Sequence, residues 1–99
     1  MADTILIVED EPDVAEMIRY NLEKEGYRTV LACTGTNALQ AVVAHEPDLM
    51  LLDIMLPDLS GWEVCRILRD NPKSRTLPIL MVTALSSEEA RVKGLTVCI

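Results

Sequence analysis

Four side chains in this sequence combine reactive chemistry with a telling position. Glu9 and Asp10 follow the run Ile5-Leu6-Ile7-Val8, Asp53 closes Leu49-Met50-Leu51-Leu52, and Thr83 follows Pro78-Ile79-Leu80-Met81-Val82. Each run is short, continuous and apolar, as expected of a strand buried on both faces. In open parallel sheets, ligands bind at the carboxyl ends of the strands. The three acids and the hydroxyl should therefore share one rim. A single acid after a strand is commonly a helix cap or a turn former. Three on one edge are another matter, because close carboxylates repel and raise one another's pKa unless a cation sits among them. An all-oxygen site of this kind suits Mg²⁺, which keeps several waters and takes one or two carboxylates plus phosphate oxygens. The chemistry implied is a Mg²⁺-dependent phosphate site with a carboxylate available as nucleophile.

Such a rim needs alternating strands and helices behind it. Pro12 and Asp13 suit the first turn of a helix, with Val14, Met17, Ile18 and Leu22 at helical spacing and a stop at Gly26. Tyr27 to Ala32 reads as a second strand. Thr34-Gly35-Thr36 is a turn and cap before the apolar stripe Ala38, Leu39, Val42 and Val43. The loop Pro57-Asp58-Leu59-Ser60-Gly61 leads into a helix with Val64, Cys65, Ile67 and Leu68 on one face, and Asn71 to Thr76 is a polar connection to the fourth strand. Ser86-Ser87-Glu88-Glu89 opens a further helix, which reaches Gly94 after about two turns. This alternation predicts an α/β fold with a doubly wound parallel sheet in one domain over residues 1–99.

Composition removes several function classes. With 9 Lys+Arg against 16 Asp+Glu, the formal charge is −7, which argues against direct nucleic acid binding by this chain. The longest mainly apolar run is far too short to span a bilayer, and Met1-Ala2-Asp3 opens no secretory signal, so no membrane association and a cytoplasmic location are expected. Cys33, Cys65 and Cys98 are widely spaced with a single His45, which excludes a usual zinc site and reads as three reduced, mostly buried thiols. His45 precedes Glu46-Pro47 at a helix end and reads as a surface or capping residue. Neither a dinucleotide nor a P-loop fingerprint is present. A phosphatase with an aspartyl nucleophile would want a second Asp two positions on as general acid, where this chain has Met55.

Ile5-Leu6-Ile7-Val8-Glu9-Asp10-Glu11, then Leu51-Leu52-Asp53-Ile54-Met55-Leu56-Pro57 with Ser60-Gly61, then Met81-Val82-Thr83-Ala84, resemble the receiver domain of two-component response regulators. The match runs in order from about Thr4 to Leu95, and Trp62-Glu63-Val64-Cys65 is similar to regulators that carry a winged-helix DNA-binding domain. The resemblance implies a flavodoxin-like receiver fold. It also implies that Asp53 accepts a phosphoryl group from a sensor histidine kinase or a small acyl phosphate. Asp10 would bind Mg²⁺ directly, Glu9 through water, and the Met55 backbone carbonyl would complete the protein's share together with Asp53. Thr83 would hydrogen-bond the phosphoryl group and move toward it, and Ala84 would leave it room. The chain would be a phosphoacceptor that catalyses its own phosphorylation and dephosphorylation, not an enzyme acting on a separate substrate.

The same family carries a Lys on a fifth strand, followed by a fifth helix. Here Gly94-Leu95 leads instead into Thr96-Val97-Cys98-Ile99. The expectation is a receiver fold incomplete at its C-terminus, lacking the Lys partner of the phosphoryl group and impaired in switching. An open edge on the fourth strand would favour self-association, making a homo-oligomer the alternative function. A stub strand over Thr96 to Ile99 is the other way to cover that edge.

Overall fold

The computed structural model describes residues 3–82 and 95–97. Its elements alternate as expected: β1 (Thr4–Val8), α1 (Pro12–Lys24), β2 (Arg28–Ala32), α2 (Gly35–His45), β3 (Leu49–Asp53), α3 (Gly61–Asp70), β4 (Ile79–Val82) and β5 (Leu95–Val97). The helix expected over Ser86 to Gly94 lies outside the described residues. The strands form one sheet in the order β2-β1-β3-β4-β5. β1, β2, β3 and β4 are parallel, and β5 runs antiparallel to β4 with Leu80 opposite Val97 and Val82 opposite Leu95. The stub strand considered over Thr96 to Ile99 is thus found over Leu95–Val97. The β4 edge is covered from within the chain, where an open edge or a partner had been the other expectation.

Strand alternation divides the apolar side chains between two faces. Leu6, Val8, Ala32, Met50, Leu52, Ile79 and Met81 point to the α2 and α3 side, where they pack with Ala38, Val42, Val64, Cys65 and Leu68 in one buried cluster. Ile5 and Ile7 point the other way, toward α1, whose buried residue is Ala15. Leu49, Leu51 and Leu80 on that second face are half-buried. The helical stripes are narrower than their spacing suggested. Met17 on α1, Val43 on α2 and Ile67 on α3, all expected on apolar faces, are exposed, because each helix presents only about one side to the sheet.

Local signals explain the helix ends. Gly26 takes φ of 95° after α1, and its N–H donates to the Glu23 carbonyl at 3.0 Å, closing the helix in the left-handed conformation glycine allows. Thr34 caps α2 by accepting from the Asn37 N–H at 3.0 Å, and Ser60 caps α3 by accepting from the Glu63 N–H at 3.2 Å. His45 ends α2 at the surface, as expected. The cysteines differ from expectation. Cys33 is free but exposed, and Cys65 is buried but disulfide-bonded. Spacing along a chain says little about which sulfurs meet in space.

Gly61 fixes how closely α3 approaches β3. A Cβ there would lie 2.7 Å from the Asp53 carbonyl oxygen and 2.8 Å from the Ile54 Cα, both backbone atoms that cannot rotate away. Ala is the better helix former, but that preference is at most about 1 kcal/mol. The clash should win. Gly61→Ala is expected to lower unfolding stability by about 1–3 kcal/mol, read as a lower urea midpoint at unchanged slope; an unchanged midpoint would contradict this close approach.

Candidate functional site

Parallel pairing sets the level of the acids. Val8 pairs with Leu52 in the β1–β3 ladder, so the next residue on each strand, Glu9 and Asp53, emerges side by side at the carboxyl edge. β1 and β3 are also where successive connections leave in opposite directions, the place where open α/β sheets form a crevice. Asp10 follows in the turn before α1. One carboxylate oxygen from each of Glu9, Asp10 and Asp53 lies within 4.8 Å of the other two. Asp53 is only 2% exposed and Glu9 7%, whereas Asp10 is open to solvent. The geometry brings the three expected acids together. Thr83 and Ala84 lie outside the described residues.

Backbone amides two residues downstream orient the two buried acids. The Glu9 carboxylate accepts from the Glu11 N–H at 3.1 Å, and the Asp53 carboxylate from the Met55 N–H at 3.1 Å. Glu11 is the N-cap of α1 without a side-chain cap bond of its own, and Pro12 needs no amide partner. Glu9 therefore joins strand to helix as well as facing Asp53.

Burial dominates the electrostatics. Desolvation raises the Glu9 carboxyl to about 7, with the Glu11 amide pulling the other way and the charges of Asp53 and Asp10 adding to the rise. Asp53 is also raised, again first by burial, against the opposing Met55 amide and with the charges of Asp10 and Glu11 adding to it. A hard dication fits the donor set. Mg²⁺–oxygen distances are about 2.0–2.1 Å, so ligands on opposite sides of the ion are about 4.2 Å apart. Oxygens already within 4.8 Å of one another need only small adjustment, or one bridging water, to share it.

The loop after Asp53 is closed on itself. The Gly61 N–H donates to the Ile54 carbonyl at 2.7 Å, and Met55 and Ser60 form an isolated antiparallel bridge. Met55 itself has an exposed side chain, so its backbone is what it offers the site. At the loop's tip stands Asp58, which along the sequence is only part of the connection leading into α3. Its carboxylate accepts from the Thr36 hydroxyl and N–H and from the Gly35 N–H, bonds that hold it well below the usual carboxylate range. These partners are 22 and 23 residues away in sequence. No local signal could have revealed them.

The raised Glu9 carboxyl gives a signed pH dependence. Above its ordinary value of 4.5 an unfolded Glu9 loses its proton, while the folded protein holds one up to about 7. The folded state therefore binds more protons across that window, and its stability falls as pH rises through it. In chelator, the melting temperature is expected to decrease from pH 4.5 to 7, and Glu9→Gln should flatten the decrease. A melting temperature that climbs over this interval with the same slope in both proteins would contradict the burial of Glu9. A divalent cation held by these oxygens would compete with the proton, so any stabilising shift from Mg²⁺ would be larger at pH 8 than at pH 5.

A family model described as response regulator receiver domain matches residues 5–98. Among solved structures, the N-terminal domain of a response regulator receiver protein from Methanoculleus marisnigri JR1 is similar at 40% identity and TM-score 0.82, covering 93% of this chain and 76% of that one. A response regulator described as putative from Chloroflexus aurantiacus J-10-fl is 38% identical with TM-score 0.83, covering 95% and 77%. The receiver domain of a sensor histidine kinase from Pseudomonas aeruginosa PAO1, which has a magnesium ion coordinated in its active site cleft, is 32% identical with TM-score 0.81, covering 93% and 75%.

Proposed function

The chain belongs to the response regulator receiver domain family of two-component signalling, and from that premise we propose that it accepts a phosphoryl group on Asp53 in a Mg²⁺-dependent reaction. The observation that carries this reading is the meeting of three carboxylates at the β1–β3 edge with Asp53 at its buried floor. Asp10, Asp53 and the Met55 backbone carbonyl would hold Mg²⁺, with Glu9 reaching it through water. When bound, the ion neutralises the acids and the developing charge on the phosphoryl oxygens.

Each residue then has a defined task. The Met55 N–H fixes the Asp53 carboxylate so that it does not rotate before attack. An oxygen of Asp53 forms a bond to phosphorus while the N–P bond of a donor phosphohistidine breaks, and the electron pair leaves on the imidazole nitrogen. With a small acyl phosphate, the pair leaves on the donor carboxylate. Thr83 would donate to a phosphoryl oxygen and shift toward it, and Ala84 would leave the group room. Displacing that hydroxyl biases a two-state element and so carries a local charge event outward. Dephosphorylation would follow at the same site by attack of water on phosphorus, the bond from the Asp53 oxygen to phosphorus breaking so that the carboxylate is restored and inorganic phosphate leaves with the water's proton.

A sensor histidine kinase is the proposed partner, and a transcriptional readout is proposed from the likeness around Trp62-Glu63-Val64-Cys65. A cytoplasmic site of action belongs to the same proposal; no helix among the described residues is long and apolar enough to cross a membrane. Self-association through the β4 edge loses the feature that suggested it, since β5 pairs there.

Incubation with acetyl phosphate and Mg²⁺ is expected to add one phosphoryl mass, absent in Asp53→Ala. A folded wild-type protein that takes no phosphoryl group, or an adduct that survives Asp53→Ala, would overturn the reading. Asp10→Asn should leave the fold intact and reduce the Mg²⁺-induced rise in melting temperature; an unchanged rise would place the ion elsewhere.

A further inference from the structure

The first three backbone N–H groups of α2 lack partners within their own helix, as at any helix start. Here the third, Asn37, is met by Thr34, its own N-cap. The first two are met from across the molecule. Asp58 accepts from the Gly35 N–H at 2.7 Å through one carboxylate oxygen and from the Thr36 N–H at 3.0 Å through the other, which also takes the Thr36 hydroxyl at 2.7 Å. The Leu59 N–H, at 2.9 Å, fixes the same carboxylate to its own loop. Packing repeats the connection. A Cβ on Gly35 would lie 2.8 Å from the Leu59 Cβ, so the loop tip rests directly on the start of α2.

The other end of this loop is the functional one. Its first residues hold the Asp53 carboxylate through the Met55 N–H and carry the Met55 carbonyl. Between the two ends, the Met55–Ser60 bridge and the 2.7 Å bond from Gly61 to Ile54 make the segment a closed, stiff unit. A closed unit moves as a body. What anchors the tip therefore also sets the position of Met55.

We propose that Asp58 is a positioning residue for the metal and phosphoacceptor site, holding the Met55 carbonyl and the Asp53 carboxylate in place by clamping the loop tip to the first turn of α2. This inference rests on the function proposed above. Asp58 touches neither ion nor phosphoryl group; it acts through the loop, as outer partners of metal ligands commonly do.

Thr34 supplies the control, because it caps the same helix start without touching the loop. Mg²⁺ titration by calorimetry, at a temperature where every variant is folded, separates positioning from simple capping. Asp58→Ala is expected to weaken Mg²⁺ binding by about ten-fold, with Asp58→Asn between it and wild type. The phosphorylation rate with acetyl phosphate at limiting Mg²⁺ should fall in parallel and recover as Mg²⁺ is raised. Thr34→Ala should lower the melting temperature and leave Mg²⁺ affinity unchanged. Wild-type affinity in both Asp58 variants, or an equal loss in Thr34→Ala, would overturn the positioning role and leave Asp58 a helix cap. Failure of the wild-type protein itself to bind Mg²⁺ would overturn the proposed function, and this inference with it.

Discussion

Everything at the functional edge follows from one constraint: parallel pairing of β1 with β3 forces Glu9 and Asp53 to the same level, and Asp10 joins them from the turn. Glu9 and Asp53 held together this way cannot relax apart without breaking the ladder. Burial makes the arrangement still less comfortable for the ionised forms, which is why desolvation heads the causes of both raised carboxyl groups. The fold tolerates the cost because the strands beneath are locked by an apolar cluster in which Leu6, Met50, Leu52 and Met81 are fully buried. Strain of this kind, stored where a ligand can relieve it, is a common property of functional sites.

The supporting structure distributes the task of holding those acids. Amides of Glu11 and Met55 take one oxygen from each buried carboxylate, so orientation comes from backbone that is already fixed by α1 and by the loop before α3. Gly61 permits that loop to close tightly onto the end of β3, and Asp58 ties its far end to α2. The site is thus built across β1, β3 and α2, with its two buried carboxylates held by backbone amides. Asp10 is the exception, exposed and free to adjust to an incoming cation.

The order of elements and the identity of the three acids were legible in the sequence, because strand runs, helix caps and the acid that ends each run are local features. Thr34 announced the start of α2 and Gly26 the end of α1, while the loop from Pro57 to Gly61 marked the approach to α3 without singling out Ser60 as its cap. Legibility failed wherever the answer depended on distance in space. The clamp from Asp58 to Gly35 and Thr36 joins residues whose separation no periodicity connects. The exposure of Val43 and Ile67 depends on the angle at which each helix meets the sheet, which hydrophobic spacing does not encode. The pairing of Leu95–Val97 with β4 was readable as β-prone sequence, but its antiparallel direction was not.

The central claim is that the crowded acids form one divalent cation site serving Asp53. Anomalous diffraction from crystals soaked in Mn²⁺, which takes the same oxygen ligands as Mg²⁺, tests it most directly. A single strong peak is expected, bounded by Asp10, Asp53 and the Met55 carbonyl, with Glu9 reaching it through a water. A peak at another place on the protein, or occupied crystals in which Asp53 takes no part in the coordination, would contradict it.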